Sequence, residues 1–548
     1  MNRFLPETLR RAAPAALALL VGTGTGCMRQ ADSTVPEEAQ AVPPRRGGEF
    51  HLMIEPPGTF DPPFVDDVYE ACVVNQLYDG LLEFDVHLNP VPAIAREWSV
   101  SRDGLEYVFH LRDDVRFHNG RRVVASDVVF SFTRIFGPGR TDFGIGGAYL
   151  RKIEGVDDFV AGRAAAIRGL VARDDTTLSI RLQAPYGSFL SALAMDQAKV
   201  VPREEIGNGG REARPCGTGP FVWVGTVDDP ADPRLVLRAN DSFRHGRPHL
   251  DEIVFHVPRD YNVDLAAEAL VAERVTMCDM PGTWRARIES DPRFRIVRRP
   301  ELSFSFVGFH VGMPPLDDVR IRRAVAHAID RARIAGVDPF GRIAAVGILP
   351  PGMFGYSPQD KGLAYDPDAA RELLASAGHP GGAGLAPLVY HQANRGEAGK
   401  ATDAILRENL EAVGLRVEFR YPEWDRFSDD IDAGRLPTLG LTWVADVPDP
   451  DSFLASLFLT DGAYNMFSYS NRVVDSLLAQ GSRMRGSRER AEVYRRAERL
   501  ILDDVPVIPL FNVENAFAVR AEVRDLLITP FGLGNLSMER IWLDSPAS

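Results

Sequence analysis

One apolar stretch, Ala12 to Val21, constrains every reading of this chain. It carries Pro14 and falls short of the roughly 18–20 residues that a bilayer-spanning helix needs. No later stretch offers that many uninterrupted apolar residues, so the body of the 548-residue chain must fold against water. At about 100–200 residues per domain, such a body holds two to four domains. Hydrophobic residues make up 45% and charged residues 25%, enough to build cores and too many apolar residues for a disordered chain. The net charge is -14, which disfavours a nucleic-acid partner, because phosphate binding needs a basic face.

The same apolar stretch follows a basic start, Arg3, Arg10 and Arg11, and precedes the small residues Gly22 to Gly26 and then Cys27. This is the layout of an export signal over residues 1–27. A cysteine behind small residues predicts a lipoprotein-type cleavage with Cys27 acylated. Gly24 stands where that pattern prefers leucine, so plain secretion is the alternative. Residues 28–47 are polar, contain Pro36, Pro43 and Pro44, and show no periodicity, as a flexible tether would. Cys72, Cys216 and Cys278 form no CxxC or zinc-type set, and each reads equally as a bridge or a buried thiol.

Local patterns predict a mixed α/β body. Phe50–Ile54, Glu106–Leu111, Leu178–Leu182, Arg234–Arg238, Ile253–Val257 and Arg416–Tyr421 read as strands. Asn119-Gly120 reads as a turn, and Ser126–Phe136 as a helix capped by Ser126. Further helices are predicted over Asp318–Ala335, from Asp366-Pro367 to Gly378, over Thr402–Val413 and over Arg488–Leu502. Val505–Phe511 reads as a short apolar strand. The chain has no G-x-S-x-G elbow, H-E-x-x-H pair or Walker loop. His245 and His249 are separated by Gly246 and Pro248, which makes a loop and no metal-binding helix face. No catalytic constellation, metal site or cofactor motif emerges, and the expectation is a protein that is not an enzyme.

The informative pattern is a series of spaced phrases. Tyr78-Asp79-Gly80-Leu81-Leu82-Glu83 leads to Pro92-Ala93-Ile94-Ala95, Trp98 and Ser101-Arg102-Asp103-Gly104. Val115-Arg116-Phe117-His118-Asn119-Gly120 and Ala125-Ser126-Asp127-Val128-Val129-Phe130 complete that block. Gly217-Thr218-Gly219-Pro220-Phe221, Asp318-Val319-Arg320-Ile321-Arg322, Tyr365-Asp366-Pro367, Trp443-Val444-Ala445-Asp446 and Val505-Pro506-Val507-Ile508-Pro509-Leu510 follow in order. Together they resemble the extracellular solute-binding proteins of family 5, the oligopeptide-, dipeptide- and nickel-binding group of ABC importers. The likeness runs from about Phe50 to Leu543.

The resemblance implies an α/β, periplasmic-binding-protein-like fold: two hinged lobes and an additional inserted α+β domain. One lobe would comprise residues 48–76, 190–301 and 511–548, the insertion 77–189, and the second lobe 302–510. The chain would cross between lobes near Leu302–Phe309 and Val505–Phe511. The implied function is that of a monomeric binding component, exported to the periplasm or cell surface and held to the membrane by its N-terminal lipid. It would deliver peptides to an ABC permease and ATPase complex. Asp446 would meet the peptide amine, Thr442, Trp443 and Val444 would offer main chain and an aromatic wall, and Gly219 would allow close approach. Asp449 and Asp451 read as turn or cap residues. The alternatives are a non-peptide solute (a nickel chelate, a sugar or an opine) and a surface sensor lipoprotein.

Overall fold

The computed structural model describes residues 43–137, 143–207, 214–339, 341–359, 361–393, 396–462, 464–485 and 487–544. The export signal, Cys27 and most of the tether lie outside the described residues. Among the described residues, no helix is long and apolar enough to cross a membrane.

A strand of 14 residues, Val507–Arg520, organises the body. Its first part pairs antiparallel with Ser303–Phe309, with a register shift between Ser305 and Phe306. Its second part pairs antiparallel with Phe294–Pro300 and Met277–Asp279. On one side the sheet continues through Thr438–Val444, Leu388–His391 and Val417–Arg420. On the other it continues through Glu49–Met53, Glu252–His256, Arg234–Ala239 and Phe221–Val227. At the changeover between the two halves, Asn512 is buried and its amide donates to the Ser303 carbonyl at 2.8 Å. The Ser303 hydroxyl accepts from Val513 N–H at 3.3 Å.

A separate antiparallel sheet joins Ala95–Val100, Glu106–Leu111, Thr177–Arg181 and Leu170–Ala172. Glu106–Leu111 buries every second residue, Tyr107, Phe109 and Leu111, as its alternation predicts. These side chains join Phe132, Ile135 and Phe189 in a core of their own.

Several local expectations are corrected. The helix read as Asp318–Ala335 is two helices, Val319–Ala328 and Arg331–Ala335. Asp318 caps the first, but Ile329 turns extended and Asp330 caps a new start by accepting from Arg333 N–H. Residues 126–136 begin their helix one residue earlier, at Ala125, with Val124 at the cap position and Asp127 accepting from its N–H. The predicted helix at Thr402 starts at Glu397, and the strand expected to end at Phe511 runs on to Arg520. Cys72, Cys216 and Cys278 are buried and outside any disulfide. Asp366-Pro367 starts its helix as read, and Gly378 follows it at φ +90°.

Replacing Asn512 by alanine leaves a buried carbonyl without its side-chain donor. A loss of about 1–3 kcal/mol is expected, measured as a lower urea midpoint with an unchanged slope.

Candidate functional site

The strand Thr438–Val444 carries an open edge. On one side it pairs with Ser303–Phe309. Ala445 N–H donates to Leu302 O at 2.8 Å, and the hydroxyls of Ser305 and Thr442 meet at 2.6 Å. In an antiparallel ladder, close side chains mark a non-hydrogen-bonded pair. The odd-numbered residues therefore bond Ser303–Phe309, while Thr442 and Val444 turn N–H and C=O the other way. The neighbour on that side, Leu388–His391, pairs only at Thr438 and Leu439. Beyond it, no described residue bonds the main chain of Thr442 or Val444 along that edge. Gly440 sits where the two strands part. A Cβ there would lie 1.9 Å from the Tyr390 hydroxyl.

At the far end of the strand lies a cavity of about 340 Å³. Asp66, Asp67, Asp196 and Asp446 line it, and no lysine, arginine or histidine does among the described lining residues. Its apolar wall includes Val68, Phe84, Ile145 and Phe531, with Val444 beside Asp446. Asp67 is engaged as the cap of the helix Val68–Leu77. Asp196 accepts from the Asn75 amide at 2.7 Å and is pushed up to about 6 by desolvation. Desolvation also holds the Asp446 carboxyl above its ordinary range, against the lowering effect of its bond from Tyr149. That bond, Tyr149 Oη to Asp446 Oδ2, is 3.2 Å long. Asp446 thus presents a half-buried carboxylate with no cationic partner among the described residues.

A buried network holds the turn that aims Asp446. Arg490 donates to both oxygens of Asp449, at 2.5 and 2.8 Å, and to Tyr494 Oη at 2.9 Å. Tyr494 Oη donates to Asp451 at 2.5 Å. Ser188, from the segment behind the four-stranded sheet, accepts from Arg490 at 3.3 Å. Burial and the Asp449 charge push Asp451 above the ordinary carboxylate range. Asp449 also caps the short turn Pro450–Ser452. Ser452 Oγ then accepts from Asp446 N–H at 3.0 Å, and Ser452 O from the Trp443 indole at 2.7 Å.

The structure therefore brings Thr442, Val444 and Asp446 together along one edge. Trp443 projects to the opposite face, 5.1 Å from the Tyr464 ring, and lines neither this cavity nor the one beside Thr442. Gly219 lies apart from them. A Cβ there would meet Gln76 O at 2.5 Å, so this glycine lets the turn pack on the end of the helix Val68–Leu77. Tyr149, Ser188 and Arg490 were not singled out by sequence reasoning. In sequence Asp449 and Asp451 read as turn or cap residues, and the buried Arg490 that pairs with them is visible only in the structure.

A larger open groove of about 1370 Å³ crosses the sheet near Glu49 and His256. Several of its charged groups are paired: His51 with Glu49, His256 with Asp232, Arg238 with Glu252, Arg520 with Glu522. Arg274 and Asp260 also line it, without an ion pair among the described residues.

The profile of the bacterial extracellular solute-binding proteins, family 5 middle, matches residues 89–465. Heme-binding protein A of Haemophilus influenzae is 28% identical over 481 residues, covering 83% of this chain and 85% of that protein. The dipeptide-binding protein of Escherichia coli is 28% identical over 499 residues, covering 86% and 90%. The solved structure of HbpA2 from Haemophilus parasuis superposes with a TM-score of 0.81 at 23% identity, over 91% of this chain and 99% of that one, which shows a shared fold.

Replacing Arg490 by methionine leaves Asp449 and Asp451 buried without their cation. The expected loss is about 3–5 kcal/mol at neutral pH, read as the midpoint of urea unfolding. A carboxyl with a raised folded pKa favours the folded state at low pH and loses that contribution as pH rises. The deficit should therefore shrink in mildly acidic buffer.

Proposed function

The chain belongs to the bacterial extracellular solute-binding proteins of family 5, and on that premise we propose that it captures peptides for an ABC importer. The observation that carries this reading is the open main-chain edge at Thr442 and Val444 beside a carboxylate cavity without a cation. The relatives' names differ in ligand, heme in one and dipeptide in another, so the choice rests on the site. A free edge accepts any extended peptide by strand addition, whatever its side chains. An α-ammonium group in the cavity supplies the charge that the desolvated Asp446 lacks.

In this reading the two halves of the long sheet belong to two lobes, residues 48–76, 190–301 and 511–548 against 302–510, with 77–189 inserted. The cavity draws on all three: Val68 and Phe531, then Phe84 and Ile145, then Val444 and Asp446. Rotation about the changeover near Ser303 and Asn512 opens and closes the cleft. Closure removes water and strengthens the ammonium–carboxylate pair. The loaded protein, tethered through a lipid on Cys27, hands its peptide to a permease and ATPase. The lipid is supported by the sequence pattern around Cys27 alone.

Asp446→Ala should weaken the binding of free-amine peptides by about 3–5 kcal/mol, measured by calorimetry. N-acetylated peptides should bind the wild-type protein poorly. Equal affinity of the variant and the wild type for the free-amine peptide would remove Asp446 from the site.

A further inference from the structure

The inserted segment 77–189 touches the chain on both sides of the changeover, and the two contacts differ in kind. Toward residues 190–301 it is fastened by buried charge. Arg244 pairs with Asp79 at 2.6 Å and with Glu83 at 2.5 Å, and the Thr218 hydroxyl donates to Asp79 at 2.8 Å. Gly80 and Lys199 add a main-chain bridge. Toward residues 302–510, Leu88 packs into the core and Tyr149 meets Asp446. The rest of that contact centres on Gly187 and Ser188. Gly187 N–H donates to Ser482 O at 2.7 Å. A Cβ on Gly187 would lie 2.6 Å from Met484 O and 2.9 Å from the Arg490 guanidinium carbon, so a side chain here would push the two surfaces apart. Beside it, the Arg485 guanidinium donates to Arg102 O at 3.0 Å.

Ser188 brings this contact onto the Arg490 cluster. Each carboxylate oxygen of Asp449 and Asp451 has a donor there. The charges nevertheless do not cancel: one guanidinium faces two carboxylates, and no other cation pairs with either among the described residues. The groups around Asp451 are Asp449 from the preceding turn, Arg490 and Tyr494 from the helix Ser487–Asp504, and Ser188 and Tyr186 from the inserted segment. Ser188 Oγ, 3.5 Å from Asp451 Oδ2, is itself buried. A surplus buried charge is costly, and a proton on Asp451 removes it. Burial first, then the Asp449 charge, hold that carboxyl above its ordinary range.

In the hinge motion proposed above, the inserted segment travels with residues 190–301, to which buried charge ties it. The surface at Gly187 and Ser188 is then the one that parts, and water reaches Asp451. We propose that this surface is a proton-dependent latch: closure holds a proton on Asp451, and opening releases that proton to solvent. The latch rests on the hinge reading and not on the identity of the solute. A carboxyl whose pKa is raised in the closed form stabilises that form at low pH, and the contribution fades as pH rises. The cleft therefore closes more readily in mildly acidic surroundings.

The test is hydrogen exchange at the Gly187 amide of the full protein without ligand, corrected for the intrinsic pH dependence of exchange. Between about pH 6 and about pH 8.5 the protection of that amide should fall at least about tenfold, the worth of one pKa unit. The strand Glu106–Leu111 should keep its protection. Asp451→Asn, neutral at every pH, should show no fall. Gly187→Leu should lose the protection at both ends of the range with Glu106–Leu111 unchanged. A wild-type amide equally protected across the range overturns the proton latch. If Gly187→Leu then still strips the protection, the parting surface stands; if it does not, the parting surface is overturned too. A fall that persists in Asp451→Asn places the proton elsewhere, and a fall shared by Glu106–Leu111 reports global unfolding. Either overturns the latch. The comparison within the wild type decides even if a variant does not fold, and the peptide reading is untouched because no ligand is added.

Discussion

Everything in the described body hangs on the ladder that Val507–Arg520 makes with two different sets of partners. A strand of 14 residues exceeds the usual length, and its middle must stay paired while the sheet changes neighbours. Asn512 does this by substituting a side-chain amide for a ladder bond to Ser303. Ser303–Phe309 and the first part of Val507–Arg520 thereby lie side by side as antiparallel strands, and Thr438–Val444 pairs on the outer side of the former.

The open edge of Thr438–Val444 lies in surroundings that differ from the rest of the fold. Deeply buried charges in this fold are paired, as Arg134 is with Asp61 and Arg244 with Asp79. The Arg490 network shows how completely the fold can satisfy two carboxylates a few residues from Asp446. Asp446, by contrast, has no cationic partner among the described residues and lies beside three further carboxylates. The main chain of Thr442 and Val444 next to it has no strand to pair with among the described residues.

The sequence made the local geometry legible where a residue acts within a few positions of itself. The alternation in Glu106–Leu111, the Asp318 cap and the Asp366-Pro367 helix start all express short-range chemistry. Asp446 was reachable through its phrase, which the family likeness locates. Legibility ended where contacts are distant. Polar residues Asn512, Glu514 and Asn515 hid the second half of the long strand, because their neighbours come from residues 294–303. Ile329 looks helical in sequence, yet Asp330 provides a competing cap and the helix restarts there. Trp443 fits a ligand wall by type, but its position in the pleat puts it on the other face from Thr442 and Val444.

The most direct measurement of the central claim is a crystal structure of the protein grown with a saturating short peptide. The expected result is an extended ligand bonded to the main chain of Thr442 and Val444, with its amine within hydrogen-bond distance of Asp446. A peptide lodged elsewhere, or an empty edge at saturating ligand, would contradict it.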